Sequence, residues 1–428
     1  MVSLKSKSSF GQVEGSLSFL VNGQSVLYIP EFELECGVVL KNVPVAYKTW
    51  GKLDDDGSNV MVICHAFTGS ADVADWWGPL LGEGRAFDTS KFFVVCCNVL
   101  GSPYGTASAL TINPNTGKPY GPDFPLVSIR DDIRLHKLVL DHLKVNQIAV
   151  CIGGSLGGMQ VLEWATFGKD YVKVIIPIAT SGKHSAWGIS WGEAQRQAIY
   201  SDPNYCDGYY TPEKMPKNGL GAARMTALLT YRSRNSFESR FGRKIMTTGN
   251  VKHYLNHVKD VDSTSTQRRQ NRTDDRSSGD IFSAQSYLRY QGDKFTKRFD
   301  ANCYISLTKK MDTHDLGRDR GDYVQTLKKI EQPALVVGIE SDGLFTINEQ
   351  YELAEHIPNA QMVEIESPDG HDGFLLEFEQ LNTLIKSFIK ENLPQYASTK
   401  SADVNTPSEY SSNKASVFGE SETDVLKW

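Results

Sequence analysis

Residues 151–159 read CIGGSLGGM, and they join an apolar run at 147–152 to a helical pattern at 158–167. The motif G-x-S-x-G at 153–157 is typical of a sharp turn that presents a nucleophilic serine between a strand and a helix. Glycine tolerates strained backbone and the close approach of neighbouring chains, and a helix N-terminus directs free N–H groups at a developing oxyanion. The stretch therefore makes Ser155 a candidate nucleophile, with a Gly-rich structural turn as the alternative.

The composition is that of an ordinary globular protein. The chain has 428 residues, 40% of them hydrophobic and 22% charged, with a formal net charge of -6. This balance gives no reason to expect nucleic acid or an anionic membrane as a partner, and the longest apolar runs are far short of a transmembrane span. No apolar core of a secretory signal is visible at the N-terminus. Seven scattered cysteines predict reduced thiols and a cytoplasmic location rather than a disulfide framework.

Short apolar runs alternate with helical patterns along much of the chain. Strands are expected at 26–29, 43–50, 60–64, 92–97, 147–152, 173–178, 334–339 and 361–365. The first two resemble an antiparallel entry to a sheet, and most later ones are continuous apolar runs of the kind buried on both faces. Ser128 and Asp131 form an S-x-x-D helix start, and the helix is expected to run to about residue 143. The alternation predicts an α/β fold with a mostly parallel sheet flanked by helices.

Between 185 and about 299 the strand pattern is interrupted. Helices are expected at 190–200, 221–232 and 283–299, as in a helical lid over the catalytic edge of the sheet. Residues 262–280 contain no apolar residue and cannot support a core, so we expect a disordered loop there. The chain is thus expected to divide into a flexible N-terminus (1–22), the first part of the core (23–184), the lid (185–300), the second part of the core (301–393) and a mostly disordered tail (394–428).

Three candidate residues follow buried strands directly, at the edge where open α/β sheets gather their ligands: Ser155, Asp342 and His371. Their order along the chain is the one found in the α/β-hydrolase fold. His371 would take the serine proton, and Asp342 would fix the imidazole tautomer and stabilise the imidazolium. Taken singly, Asp342 is explained as a turn residue and His371 as a loop histidine. Taken together in this order, the three predict a catalytic triad.

The segment HAFTGS (65–70) follows the strand at 60–64, where this fold supplies the second N–H group of an oxyanion hole. By analogy, the backbone N–H groups of Phe67 and Leu156 are expected to bind the oxyanion. The alternative is a helix-entry turn capped by Thr68 or Ser70.

The histidines do not predict a metal site. His65, His314 and the pair His253 and His257 lack the partner residues of zinc motifs and are better explained as surface or structural histidines. The Gly-rich stretch also lacks the spacing of a phosphate-binding loop or a dinucleotide fingerprint. We therefore expect no metal and no permanently bound cofactor.

Several longer segments form a further pattern: YKTWG (47–51), HAFTGS (65–70), GGSLGGM (153–159), AARM (222–225), TYR (230–232), 283–290 and GHD (370–372). Together and in this order they resemble the homoserine O-acetyltransferase family, in its fungal type. The likeness covers roughly 22–392 and extends to SVFGE at 416–420. This chain departs from the family pattern at Leu156, where the family has Met, and at Phe67, where it has Leu. Both positions act through backbone N–H groups, so we expect catalysis to survive and only the pocket shape to differ.

The resemblance implies acetyl transfer from acetyl-CoA, as co-substrate, to the hydroxyl of L-homoserine in methionine biosynthesis. It implies a ping-pong route through an acetyl-Ser155 intermediate, with Arg224 binding the homoserine carboxylate and Asp372 its ammonium. One cation and one anion suit a zwitterionic amino acid, and Arg can grip a carboxylate with two hydrogen bonds. The resemblance also suggests a homodimer built on the lid.

Other readings of the same residues stay open. A serine esterase of the same fold would use identical triad chemistry with water as the acceptor, and a related transferase would use succinyl-CoA or L-serine. A non-enzymatic interaction protein on this fold is a third possibility, against which the complete triad argues.

Overall fold

The computed structural model describes residues 12–246, 281–398 and 400–410. The loop expected at 262–280, residues 1–11 of the N-terminal segment and residues 411–428 of the tail lie outside them. Eight strands form one sheet: β1 (Ser25–Glu33), β2 (Val39–Trp50), β3 (Val60–Cys64), β4 (Phe93–Cys97), β5 (Ile148–Gly154), β6 (Val172–Ile178), β7 (Ala334–Ile339) and β8 (Ala360–Ile365). Their order is β1-β2-β4-β3-β5-β6-β7-β8. The pairs β1–β2 and β2–β4 are antiparallel and the others parallel, so the predicted α/β-hydrolase sheet with an antiparallel entry is confirmed.

The sheet is covered on both faces, as its continuous apolar strands predict. Every residue of β3 and β5 is buried. Because successive side chains of a strand point to opposite faces, Cys151 joins one hydrophobic cluster and Val150 and Ile152 join the other. The central strands are thus fixed from both sides, and the loops at their carboxyl ends start from rigid positions.

Helices cover both faces of the sheet. They are α1 (Val73–Trp76), α2 (Ile129–His142), α3 (Leu156–Ala165), α9 (Tyr323–Lys328), α10 (Ile347–His356) and α11 (Phe378–Asn392). The predicted start of α2 is confirmed: Ser128 Oγ accepts a hydrogen bond from the Asp131 N–H at 3.1 Å, and Asp131 Oδ2 accepts one from the Ser128 N–H at 3.0 Å. Within the described residues, no helix has the length and apolar character needed to span a membrane.

The lid lies between β6 and β7. Its described helices are α4 (Ala186–Tyr200), α5 (Lys217–Tyr231), α6 (Arg234–Arg240), α7 (Ser283–Phe295) and α8 (Ala301–Asp312). Helix α4 begins earlier than expected because the Ser185 hydroxyl accepts a hydrogen bond from the Gly188 N–H. The sequence pattern does not predict helix α8. It packs on α4, so the boundary expected at 300 falls between two helices of the same insertion.

Parts of both terminal segments pack on the core, unlike the flexible ends expected. Val13 and Val21 are buried, the first of them beside β1 and β2. In the tail, Val404 is buried, and Arg85 donates hydrogen bonds to the carbonyl oxygens of Asp403 at 3.2 Å and Thr406 at 2.8 Å. Val13 and Val404 are single apolar residues within polar surroundings, and a composition-based prediction misses such anchors.

The remaining elements are short. Two-residue strands pair at Ile112–Asn113 with Lys118–Pro119 and at Ile245–Met246 with Ile281–Phe282. Turns of 3₁₀ helix lie at Ser18–Leu20, Gly78–Leu80, Gly121–Asp123, Cys206–Gly208, Pro212–Lys214, Gly370–Leu375 and Pro394–Tyr396.

Candidate active site

Ser155 occupies a strained turn between β5 and α3. Its backbone has φ 58° and ψ -125°, a region that side-chain-bearing residues rarely adopt. The surrounding packing over-determines this conformation. A Cβ atom on Gly157 would lie 2.1 Å from the Cys64 carbonyl oxygen, and one on Gly153 would lie 2.6 Å from the Gly157 backbone. Glycine is therefore required at both positions, and the turn holds the serine at the carboxyl edge of the sheet.

His371 and Asp342 form a buried pair. The His371 Nδ1 and Asp342 Oδ2 atoms are 2.6 Å apart. The other carboxylate oxygen, Oδ1, accepts hydrogen bonds from the N–H groups of Leu344 at 2.8 Å and Phe345 at 2.9 Å. Because the carboxylate can only accept, Nδ1 carries the proton and Nε2 is left free to act as a base.

The charge around His371 favours its protonated form. Burial alone lowers the pKa of His371, but the charge and hydrogen bond of Asp342 raise it, with smaller contributions from Asp372 and Glu349. The net effect places the pKa above its ordinary value. An imidazolium formed during a reaction is therefore stabilised by the groups that surround the ring.

A cavity of about 900 Å³, including its open mouth, lies between the sheet edge and the lid. Ser155, His371 and Asp372 line one side of it. Residues of the lid helices line the other side, including Trp191 of α4, Tyr231 of α5 and Met311 of α8. The two residues proposed to exchange a proton thus face one common space, and a substrate entering that space would meet both.

The loop at 65–69 lies at the same cavity. Phe67 lines the cavity, and Leu156 is the first residue of α3, so its N–H lacks an intrahelical acceptor. His65 stabilises the loop through both ring nitrogens. Its Nδ1 lies 2.8 Å from the Ala66 carbonyl oxygen, and its Nε2 accepts a hydrogen bond from the Val99 N–H at 3.1 Å. Burial lowers the pKa of His65 to about 4, so the ring is neutral and structural.

Asp372 and Arg224, the two predicted substrate contacts, differ in whether they reach the cavity surface. Asp372 lines the cavity, with its Oδ2 atom 2.8 Å from Arg232 Nε. Arg224 is buried in α5, where its guanidinium lies 5.6 Å from the centroid of the Tyr231 ring and 5.0 Å from that of Phe295. Arg224 is not among the residues that line the cavity. The structure therefore places the Arg224 charge against an aromatic ring of the cavity wall.

Sequence reasoning assigns no function to Tyr231 or Arg232, although both lie at the site. The only signal for them is the segment TYR at 230–232, which carries the family resemblance. Among the described residues, no group of three or more His, Cys, Asp or Glu is placed to hold a metal ion. His253 and His257 lie outside those residues.

The fold and site are those of the α/β-hydrolase class, and the family model for the alpha/beta hydrolase fold matches residues 59–378. The chain is 52% identical to homoserine O-acetyltransferase of Emericella nidulans over 97% of each chain, and 50% identical to that of Saccharomyces cerevisiae over 96% of this chain and 95% of the other. Among solved structures, esterase E22 matches with a TM-score of 0.74 and 26% identity over 86% of this chain and 99% of that one. Within the α/β-hydrolase fold, the chain belongs to the homoserine O-acetyltransferase family.

Proposed function

We propose that this protein transfers the acetyl group of acetyl-CoA to the hydroxyl of L-homoserine, giving O-acetyl-L-homoserine for methionine biosynthesis. The observation that carries the proposal is Ser155 on its strained turn, facing the same covered cavity as the His371–Asp342 pair. Relatives that match nearly the whole chain bear the name of this activity.

In the first half-reaction, Ser155 Oγ attacks the thioester carbonyl carbon while His371 Nε2 takes the hydroxyl proton. The backbone N–H groups of Phe67 and Leu156 bind the resulting oxyanion, and each such donor is typically worth about 2.7–4 kcal/mol in the transition state. The tetrahedral intermediate then expels the CoA sulfur, which receives the proton from His371. The products are free CoA and acetyl-Ser155.

In the second half-reaction, the homoserine hydroxyl attacks acetyl-Ser155 and gives its proton to His371. Collapse of the second tetrahedral intermediate returns that proton to Ser155 Oγ and releases the acetylated product. Asp372 binds the ammonium of homoserine, and Arg224 supplies the positive charge that attracts its carboxylate. Asp342 stabilises the imidazolium in both halves.

An uncharged acyl group fits the cavity better than a succinyl group. The described residues that line the cavity include two acids, Asp312 and Asp372, and no Lys or Arg. In this proposal the buried cation Arg224 serves the homoserine carboxylate, so a succinyl carboxylate would lose hydration without gaining an ion pair of its own. This argument supports acetyl-CoA as the acyl donor.

The resemblance in fold to an esterase keeps hydrolysis as the second candidate. The lid argues for transfer, because a covered cavity keeps water from the acyl-enzyme. The test is to incubate the protein with acetyl-CoA, with and without L-homoserine, and to follow free CoA and the amino-acid product. Homoserine-dependent CoA release with O-acetylhomoserine formation is expected. CoA release that ignores homoserine and yields only acetate would establish the hydrolase instead.

We further propose a cytoplasmic homodimer that needs no permanently bound cofactor. All seven cysteines are free thiols, as expected in a reducing compartment. The lid helices α4 and α5 expose large apolar side chains: Trp187, Ile189 and Leu229 are 54%, 37% and 54% exposed. Such surfaces favour self-association through the lid. Light scattering coupled to size-exclusion chromatography tests it, and a monomer at micromolar concentration would rule out the dimer.

A further inference from the structure

The carboxyl end of lid helix α5 packs directly on the loop that carries His371. Gly370 has φ 70°, and a Cβ atom there would lie 2.7 Å from the Ser233 nitrogen and 2.9 Å from the Tyr231 carbonyl oxygen. The Ser233 hydroxyl donates a hydrogen bond to the Pro368 carbonyl oxygen. The backbone of the lid therefore contacts the backbone immediately before His371, with no room for a side chain between them.

Arg232 joins the same two segments through its side chain. Its Nη1 atom lies 2.8 Å from Asp369 Oδ1, and its Nε atom lies 2.8 Å from Asp372 Oδ2. The side chains of Arg232 and Asp372 are only 4% and 3% exposed, so solvent screens their attraction little. One guanidinium thus bridges two carboxylates on either side of His371.

We propose that Arg232 is a positioning residue: it aims Asp372 into the cavity and balances the Asp372 charge beside His371. The proposal rests on the proposed function, in which Asp372 binds the ammonium of the acceptor. Arg232 is not itself among the described residues that line the cavity; it contacts Asp372, which is. Its effect on the reaction passes through Asp372 and through the position of the loop.

Two consequences follow from the charges that face His371. Asp342, Asp372 and Glu349 all raise the pKa of the ring, and Arg232 pairs with one of the three. Without Arg232, the unpaired Asp372 carboxylate would raise the pKa of His371 further and would also lose its fixed orientation. Acyl-enzyme formation would then need a higher pH, and the acceptor would bind more weakly.

The experiment compares Arg232→Ala, Arg232→Lys and the control Arg234→Ala in the full chain. Arg234 is the matched control because it lies two residues away with a side chain 83% exposed. The first readout is the pH–rate profile of CoA release, measured without acceptor; its acid limb is the low-pH range in which the rate rises with pH. The second is the KM for L-homoserine, set against kcat.

For Arg232→Ala we expect the acid limb to move up by roughly half a pH unit and the homoserine KM to rise about tenfold, as when a buried charge loses its partner. Arg232→Lys retains the positive charge but not the planar guanidinium that can bond two carboxylates. Its acid limb should therefore lie where the parent protein has it, while the homoserine KM stays raised by about threefold. Arg234→Ala should match the parent protein in both readouts.

Two outcomes would overturn the proposal. One is a folded Arg232→Ala protein with both the acid limb and the homoserine KM unchanged. The other is an equal defect in the Ala and Lys variants with an unmoved acid limb, which would make the residue merely structural. If Arg232→Ala fails to fold, Arg232→Lys and Asp369→Asn provide the test. Both variants should raise the homoserine KM and leave the position of the acid limb unchanged. A parent protein without homoserine-dependent turnover would refute the proposed function instead, and the acid limb would still report on Arg232.

Discussion

The two walls of the cavity hold their polar groups in different ways. At the sheet edge, backbone geometry does the holding: Ser155 has a positive φ, and two peptide N–H groups fix the Asp342 carboxylate. On the lid side, side chains do the holding: Arg232 of the lid fixes Asp372 on the facing loop, and aromatic rings pack against Arg224. The difference suggests that the sheet edge carries the reaction and the lid wall carries the choice of acceptor. Substitutions on the two walls should therefore give different kinetic signatures.

The largest effect is expected for Ser155→Ala, which removes the nucleophile from the sheet edge. Turnover should fall by roughly 10⁴–10⁶-fold, because the rest of a triad contributes little once the nucleophile is absent. The measurement is the rate of CoA release together with the mass of the protein after incubation with acetyl-CoA. Ser190→Ala, an exposed serine of α4, is the control. An acetylated Ser155→Ala protein that turns over normally would remove Ser155 from the mechanism.

A loss of about 10⁴-fold is expected for Asp342→Asn, through a change of tautomer. The N–H groups of Leu344 and Phe345 both donate to Oδ1, so an asparagine must place its oxygen there. Its NH₂ group then faces His371 Nδ1 and forces the ring proton onto Nε2, which can no longer act as a base. CoA release at several pH values checks this. Asp55→Asn, in an exposed turn, is the control, and a loss of less than tenfold would contradict the assigned role.

The same contrast between the walls explains what could be predicted from the sequence. Ser155, Asp342 and His371 lie beside strand ends, and the motif 153–157 reflects local backbone constraints, so short-range patterns locate them. The partner of Asp372 is Arg232, just past the end of the distant helix α5, and nothing in local spacing indicates which lid arginine points inward. Helix α8 is hard to predict from the sequence for a similar reason. Its buried face is recognisable only once α4 is there to cover it.

A smaller effect, confined to the acceptor, is expected for Arg224→Ala on the lid wall. The homoserine KM should rise by roughly 10–100-fold, as when a charged hydrogen-bond partner is lost. The burst of CoA release from acetyl-CoA alone should keep its size, because the sheet edge is untouched. Rapid-quench measurement of the burst and steady-state homoserine titrations separate the two. Arg289→Ala, exposed on α7, is the control. Loss of the burst would place Arg224 in acylation rather than in acceptor binding.

The smallest effect is expected for Glu349→Gln, which alters the pKa of His371 only by removing a nearby negative charge. His371 must be neutral to accept the Ser155 proton, and its pKa is raised, so the rate of CoA release should increase with pH through a midpoint above about 6.5. Glu349 contributes to that raised pKa, and burial followed by the charge of Asp342 raises the pKa of Glu349 itself to about 7.

Replacing Glu349 with glutamine removes one negative charge near the ring, so the midpoint should move to lower pH. Because Glu349 is already partly protonated in this pH range, we expect a shift of only a few tenths of a pH unit. Glu355→Gln, exposed on the same helix α10, is the matched control and should leave the midpoint in place. A shift to higher pH, or an equal shift in both variants, would show that Glu349 does not act through the charge at His371. A downward shift in Glu349→Gln together with an upward shift in Arg232→Ala would establish that opposite charges on the two walls set the same pKa.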